Sequence, residues 1–165
     1  GSSPLPIYDS LVERCAAGYL AHYEKCWHDQ TRVYEGMGDA IAALRARGAR
    51  LGIVSNKPHR FTVLCGEHFF PAGTFEIILG QRENVARKPD PAGGIEIASR
   101  MGLHPSACAY VGDSGVDMEF ARAAGMRGIG VLWGFRSRAE LVAAGAEALI
   151  AHPSELLGAG LPGLD

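Results

Sequence analysis

Apolar residues recur along this chain in two rhythms. From Ile7 to about Gln30, residues Leu11, Ala16, Tyr19, Leu20, Tyr23 and Trp27 fall at helical spacing, with Glu13, Arg14, Glu24 and Lys25 between them, which predicts an amphipathic helix. A second helix is expected from Asp39, as its N-cap, through Ile41 and Leu44 to Arg47, stopping at Gly48. There the rhythm changes. The run 50-RLGIVSN-56 is short, apolar and closed by small polar residues, and Pro58 opens a helix carrying Phe61, Val63, Leu64 and Phe69.

That strand-then-helix unit repeats. Strand 75-FEIIL-79 leads through a polar loop to Pro89-Asp90-Pro91 and a helix through Ile95, Ile97, Ala98 and Met101. Strand 108-CAYVG-112 leads into a helix over 115–124, and 127-RGIGVLWG-134 precedes a helix over 137–144. A last strand, 147-EALIA-151, is followed by a short helix from Ser154 to Leu157. Strands alternating with helices predict an α/β fold: a Rossmann-like parallel sheet with helices on both faces. The strands are continuous apolar runs, as burial on both faces requires. Ligands of such sheets bind at the carboxyl ends of the strands, so the chemistry is expected there.

Composition changes this picture little. At 165 residues, with 47% hydrophobic and 21% charged residues, the chain can bury a real core. A formal charge of -2 carries no basic footprint, so neither nucleic acid nor an anionic membrane is expected as partner. No apolar run reaches the roughly 20 residues of a membrane span. Gly1-Ser2-Ser3 lacks the pattern of a signal peptide, and a cytoplasmic location is expected. Cys15, Cys26, Cys65 and Cys108 have no paired spacing and read as reduced thiols; Cys65-x-x-His68 and Cys26-x-His28 have no second half that would make a zinc site.

Three strand ends carry candidate chemistry. Ser55-Asn56 offers a hydroxyl and backbone N–H groups before a helix, suited to an anionic oxygen, or simply a cap. In 87-RKPDP-91, Lys88 is a point charge beside a helix start, suited to a phosphate, or a solvated loop charge. In 109-AYVGDSGVDMEFARAAG-125, Asp113 emerges from a strand end and Asp117 returns to the same side one helical turn later. Two carboxylates there suit Mg2+. Equally, Asp113 could cap the helix and Asp117 complement its positive end; the spacing alone leaves both readings open.

The three stretches together, in this order and at these separations, resemble the haloacid dehalogenase-like hydrolase superfamily. The phosphoglycolate phosphatase-like branch is the nearer likeness, through 51-LGIVSNKP-58, 87-RKPDP-91, 110-YVGDSGVDMEFARAAGM-126 and 131-VLWGF-135, and the resemblance spans about residues 33 to 157. It implies a Mg2+-dependent phosphatase acting on a small phosphorylated metabolite. In that family an aspartate attacks the phosphomonoester, and water then hydrolyses the aspartyl-phosphate. Carried over, Ser55 and Lys88 are catalytic, and Ser55, Asn56 through its backbone N–H, and Lys88 bind the phosphoryl group. Asp113 is a metal ligand, with Asp117 supporting the metal directly or through water. Gly112-Asp113-Ser114, where phosphosugar mutases of the group resemble Glu-Asp-Ser, favours a phosphatase.

One departure from the family is large. Its first motif, Asp-x-Asp-Gly-Thr at the end of the first strand, supplies the nucleophile, and no Asp-x-Asp occurs in these 165 residues. The resemblance therefore implies that residues 1–30 are the remnant of a helical cap domain. Residues 31–165 are then a hydrolase core whose first, central strand is missing from the chain. That strand belongs between 51–54 and 109–112. A central strand buries several side chains at about 1.5 to 3 kcal/mol each, against a total stability of about 5 to 15 kcal/mol. The 165 residues alone are thus expected not to be a stable monomer unless a second chain or an N-terminal segment fills the gap, or the flanking strands close on each other. A gap would hold those strands at about twice the usual 4.8 Å spacing. The alternative function is a non-catalytic phosphate-binding or interaction protein derived from the same fold.

Overall fold

The computed structural model describes residues 6–163, so the opening Gly1-Ser2-Ser3 and the closing Asp165 lie outside the described residues. The chain divides into two compact units, Gly1–Arg32 and Val33–Asp165. The first contains helix α1, Pro6–Cys26. Its Leu11, Val12, Tyr19 and Leu20 are exposed, and Tyr19 stacks on Tyr23 one turn on, with ring centroids 5.6 Å apart. Among the described residues no helix is long and apolar enough to cross a membrane.

The second unit runs α2 (Met37–Ala46), β1 (Gly52–Pro58), α3 (His59–Phe69), β2 (Ile77–Gln81), α4 (Ala92–Arg100), β3 (Ala109–Gly112), α5 (Gly115–Ala124), β4 (Arg127–Val131), α6 (Arg138–Ala143) and β5 (Ala148–Ile150). Short 3-10 turns stand at Pro105–Ala107 and Pro153–Gly158. Helix α2 starts earlier than its acidic residue suggests. Gly36, at φ 76°, takes the N-cap position and Asp39 sits in the first turn, where it complements the helix dipole instead.

All strand pairs are parallel, but they form two sheets, β1-β2 and β3-β4-β5. Helices cover both faces. Ile53 of β1 and Ile78 of β2 meet α3 at Gly66, while Gly52 and Val54 approach α4 at Ile97 and Gly93. In the other sheet, Ile129, Val131 and Ile150 pack with Ala40 and Leu44 of α2 and with Leu156. On the opposite face Gly128 of β4 lies against Met118 and Ala121 of α5.

Strands β1 and β3 share no hydrogen-bonded ladder, so they have not closed on each other. A cleft of about 540 Å³, lined by Ile41, Leu44, Val54, Ile97, Val111 and Leu161 among others, lies beside both. Backbone alternation shows which groups face away from each ladder. Leu51 accepts from Glu76 on the β2 side, and Cys108 accepts from Arg127 on the β4 side. Successive residues of a strand point their amides and carbonyls to opposite edges. The polar groups of Gly52 and Val54 on β1, and of Ala109 and Val111 on β3, are therefore directed to the unladdered edges.

Candidate active site

The strand ends gather around Lys88. Its ammonium donates to Asp117 Oδ1 at 2.7 Å and to the Tyr110 hydroxyl at 2.8 Å. The ion pair is well covered, the two side chains being 14% and 8% exposed. Burial alone would pull the Lys88 ammonium down, but the oxygens of Tyr110 and Asp117 outweigh it and hold Lys88 above its ordinary value. An ammonium has three N–H donors, so these two contacts leave one for a ligand.

The backbone of Lys88 is held as firmly. Asn56 Oδ1 accepts the Lys88 N–H at 2.8 Å, and Asn56 Nδ2 donates to the Lys88 carbonyl at 3.1 Å. The Lys88-Pro89 peptide is cis. The preceding loop is fixed by Arg82, whose Nη1 and Nη2 donate to the two carboxylate oxygens of Glu96 on α4 at 3.0 and 2.5 Å. Gln81 also ties the loop to the carbonyls of Arg82 and Val85. Asn56, within β1, thus serves the lysine through its side chain. Nearby, Ser55 Oγ accepts the Lys57 N–H at 3.1 Å, which leaves its own proton free to be donated.

Helix α5 presents the two carboxylates differently. Ser114, not Asp113, is the N-cap, and it makes a capping box with Asp117: the Ser114 hydroxyl accepts the Asp117 N–H, and Asp117 Oδ2 accepts the Ser114 N–H at 3.1 Å. Oδ2 also accepts the Ser114 hydroxyl at 2.7 Å. Asp117 is therefore engaged through one oxygen by Lys88 and through the other by Ser114. A Cβ at residue 112 would collide with the Asp117 side chain, so only glycine fits there. Asp113 stands just past the end of β3, and its Oδ2 accepts the Phe135 N–H at 3.2 Å. The close approach requires Gly134, where a Cβ would run into the Asp113 carboxylate.

The structure thus joins Asn56, Lys88 and Asp117 by direct hydrogen bonds, and places Ser55 next to Asn56 and Asp113 next to the α5 cap. Two contributors escaped the sequence pattern. Tyr110 donates its hydroxyl proton to the Val54 carbonyl at 2.9 Å while receiving Lys88, and burial pushes its phenol above the ordinary value. The available signal was a lone phenol in an otherwise apolar strand, since a buried tyrosine hydroxyl needs a partner. The second contributor is the Gly134-Phe135 backbone, for which spacing gave no signal.

A Mg2+ ion would find one ready carboxylate here. Asp113 has an oxygen to offer, whereas those of Asp117 serve Lys88 and Ser114. Among the described residues no three His, Cys, Asp or Glu side chains cluster as a metal site. Mg2+ is usually held by one or two carboxylates together with water and substrate phosphate, so Asp113 fits as one of those ligands but does not complete a set.

Comparison with known proteins places the chain in a family. A family model described as haloacid dehalogenase-like hydrolase matches residues 7–125. Phosphoglycolate phosphatase from Pseudomonas putida is 31% identical over 129 residues, covering 78% of this chain and 47% of the relative. The enzyme of the same name from Yersinia pseudotuberculosis is 31% identical over 155 residues, covering 93% of this chain and 67% of the relative. A crystal structure from Lactobacillus delbrueckii subsp. bulgaricus, assigned as a phosphoglycolate phosphatase, superposes with a TM-score of 0.83 at 31% identity, covering 93% of this chain and 65% of that one. The chain spans about half the length of several curated relatives it matches.

Proposed function

The chain belongs to the haloacid dehalogenase-like hydrolases, and from that premise we propose that it forms the strand-end half of a Mg2+-dependent phosphatase for a small phosphomonoester resembling 2-phosphoglycolate. The observation that carries this reading is the Lys88 constellation. A lysine fixed through its backbone by Asn56 and through its ammonium by Asp117 and Tyr110 presents one remaining N–H from a preorganised, largely buried charge. Such a group suits the oxygens of a transferring phosphoryl group. Ser55 adds a hydroxyl donor beside it. Asp113 would hold the cation, whose contribution when bound is to neutralise phosphoryl charge; Asp117 would act by orienting Lys88.

The attacking carboxylate is not found among the described aspartates near this site. Asp90 Oδ1 accepts the Ala92 N–H at the start of α4, and Asp39 lies in α2. In the proposed enzyme it comes from a strand lying between β1 and β3, supplied by a further segment or a second chain. The unladdered edges at Gly52, Ala109 and Val111 and the apolar cleft beside them support that placement. Helix α1, with its exposed apolar residues, would then belong to a larger helical cap that selects the substrate. The cytoplasmic setting and the preference for a small metabolite over nucleic acid or membrane are part of the same proposal, in keeping with four free cysteines.

The second reading, a phosphate-binding or interaction protein without turnover, is favoured by the absence of Asp-x-Asp from these residues. One experiment separates the two. Phosphate release from a panel of small phosphomonoesters is measured with the longest chain the gene encodes, with and without Mg2+. Mg2+-dependent turnover that falls at least a hundredfold in Asp113→Asn is the expected result. Phosphate binding without turnover would establish the second reading, and unchanged turnover in Asp113→Asn would remove that residue from the metal site.

A further inference from the structure

We propose that Tyr110 is a positioning residue for Lys88: it ties the lysine to the edge of β1 and so fixes the direction of the one ammonium proton left for the phosphoryl group. The inference rests on the phosphatase reading and adds to it a residue with no carboxylate or metal role. The Val54 carbonyl points to the unladdered edge of β1, beside an apolar cleft, where an unpaired acceptor is costly. The Tyr110 hydroxyl donates to it at 2.9 Å.

That contact fixes the role of the phenol. A hydroxyl has a single proton, and here it is committed to Val54, so the oxygen meets Lys88 only as an acceptor. The ring cannot turn away easily, because it lies edge-on to Phe120 of α5 with centroids 4.7 Å apart at 66°. Lys88 is consequently held by two acceptors from different directions, Asp117 Oδ1 on α5 and Tyr110 on β3. With Asp117 alone the ammonium could rotate about one contact. With both, its third N–H has a set direction.

Tyr110→Phe removes only the oxygen and keeps the ring against Phe120, so the fold is expected to survive. Two readouts are taken on the longest encoded chain. The first is the side-chain ammonium cross-peak of Lys88 in a low-temperature proton–nitrogen correlation spectrum, visible when the protons are held in hydrogen bonds. It is expected to be strong in the wild type and clearly weaker in Tyr110→Phe, where only the Asp117 contact remains. The second is turnover of 2-phosphoglycolate, where kcat is expected to fall about ten- to a hundredfold with KM changed less than about threefold, since a misdirected charge matters more as phosphoryl charge redistributes. A Lys88 cross-peak equally strong in both proteins, or absent from the wild type, overturns the proposal whatever the rates. If the wild type turns over no phosphomonoester, the phosphatase reading fails on its own, and the cross-peak still decides the contact of Tyr110 with Lys88.

Discussion

At the scale of single residues, the Lys88–Asp117 pair makes the most demanding prediction. Removing one partner of a covered ion pair strands the other, which costs about 3 to 5 kcal/mol. Lys88→Met should lower unfolding stability in urea by that amount, and adding Asp117→Asn should recover more than half of the loss. The Arg82–Glu96 pair makes a smaller one. The hydrogen bond from Arg82 holds the Glu96 carboxyl below its ordinary value. Glu96 therefore contributes stability that is complete above the usual carboxylate range and is lost as pH falls through its depressed value. Because Glu96 is 31% exposed the contribution is screened and modest. Thermal melts from about pH 7 to about pH 3 should show a flatter acid limb for Glu96→Gln, and an identical limb would contradict the assignment. Sequence brought Asp113 into view because it stands where an apolar run gives way to polar residues, Asp117 by its spacing one helical turn later, and Lys88 by its place before proline beside a helix start. The side chain of Asn56 and the phenol of Tyr110 stayed hidden, because their partners lie 32 and 56 residues away along the chain.

At the scale of elements, the span of helix α5 was legible, although its cap is Ser114 rather than the Asp113 that the sequence offered. Ser114 begins it with a capping box and Gly125, at φ 72°, ends it. The same cap carries Asp117 into the site, so helix start and chemistry are one feature. Ser114→Ala should cost about 1 kcal/mol in denaturant unfolding. Gly112→Ala, which drives a methyl group into Asp117, should cost about 1 to 3 kcal/mol. Other boundaries moved. Strand β2 begins at Ile77 rather than Phe75, whose ring packs edge-on against Phe70 at 5.1 Å. In α2, Asp39 looked like a cap but sits inside the first turn, since glycine at residue 36 reaches the left-handed conformation at the helix start without strain.

At the scale of the whole molecule, alternating strands and helices gave the parallel α/β character, and helices do cover both faces. The division into β1-β2 and β3-β4-β5 could not come from periodicity, because it depends on which strands are neighbours rather than on what each contains. The family resemblance left a place between β1 and β3, with direct closure of the two strands as the other outcome, and the structure shows no ladder between them. If a strand enters there, the amides of Ala109 and Val111 should exchange hydrogen rapidly in the 165-residue chain and slowly in the longest encoded chain. The central claim is that Lys88, Ser55 and Asp113 form one half of a phosphatase site, completed by that strand. Its most direct test is Mg2+-dependent phosphate release from 2-phosphoglycolate, measured side by side for the two chain lengths at equal concentration. The account predicts turnover by the longer chain and none above background by the 165 residues. Equal turnover by both would contradict it.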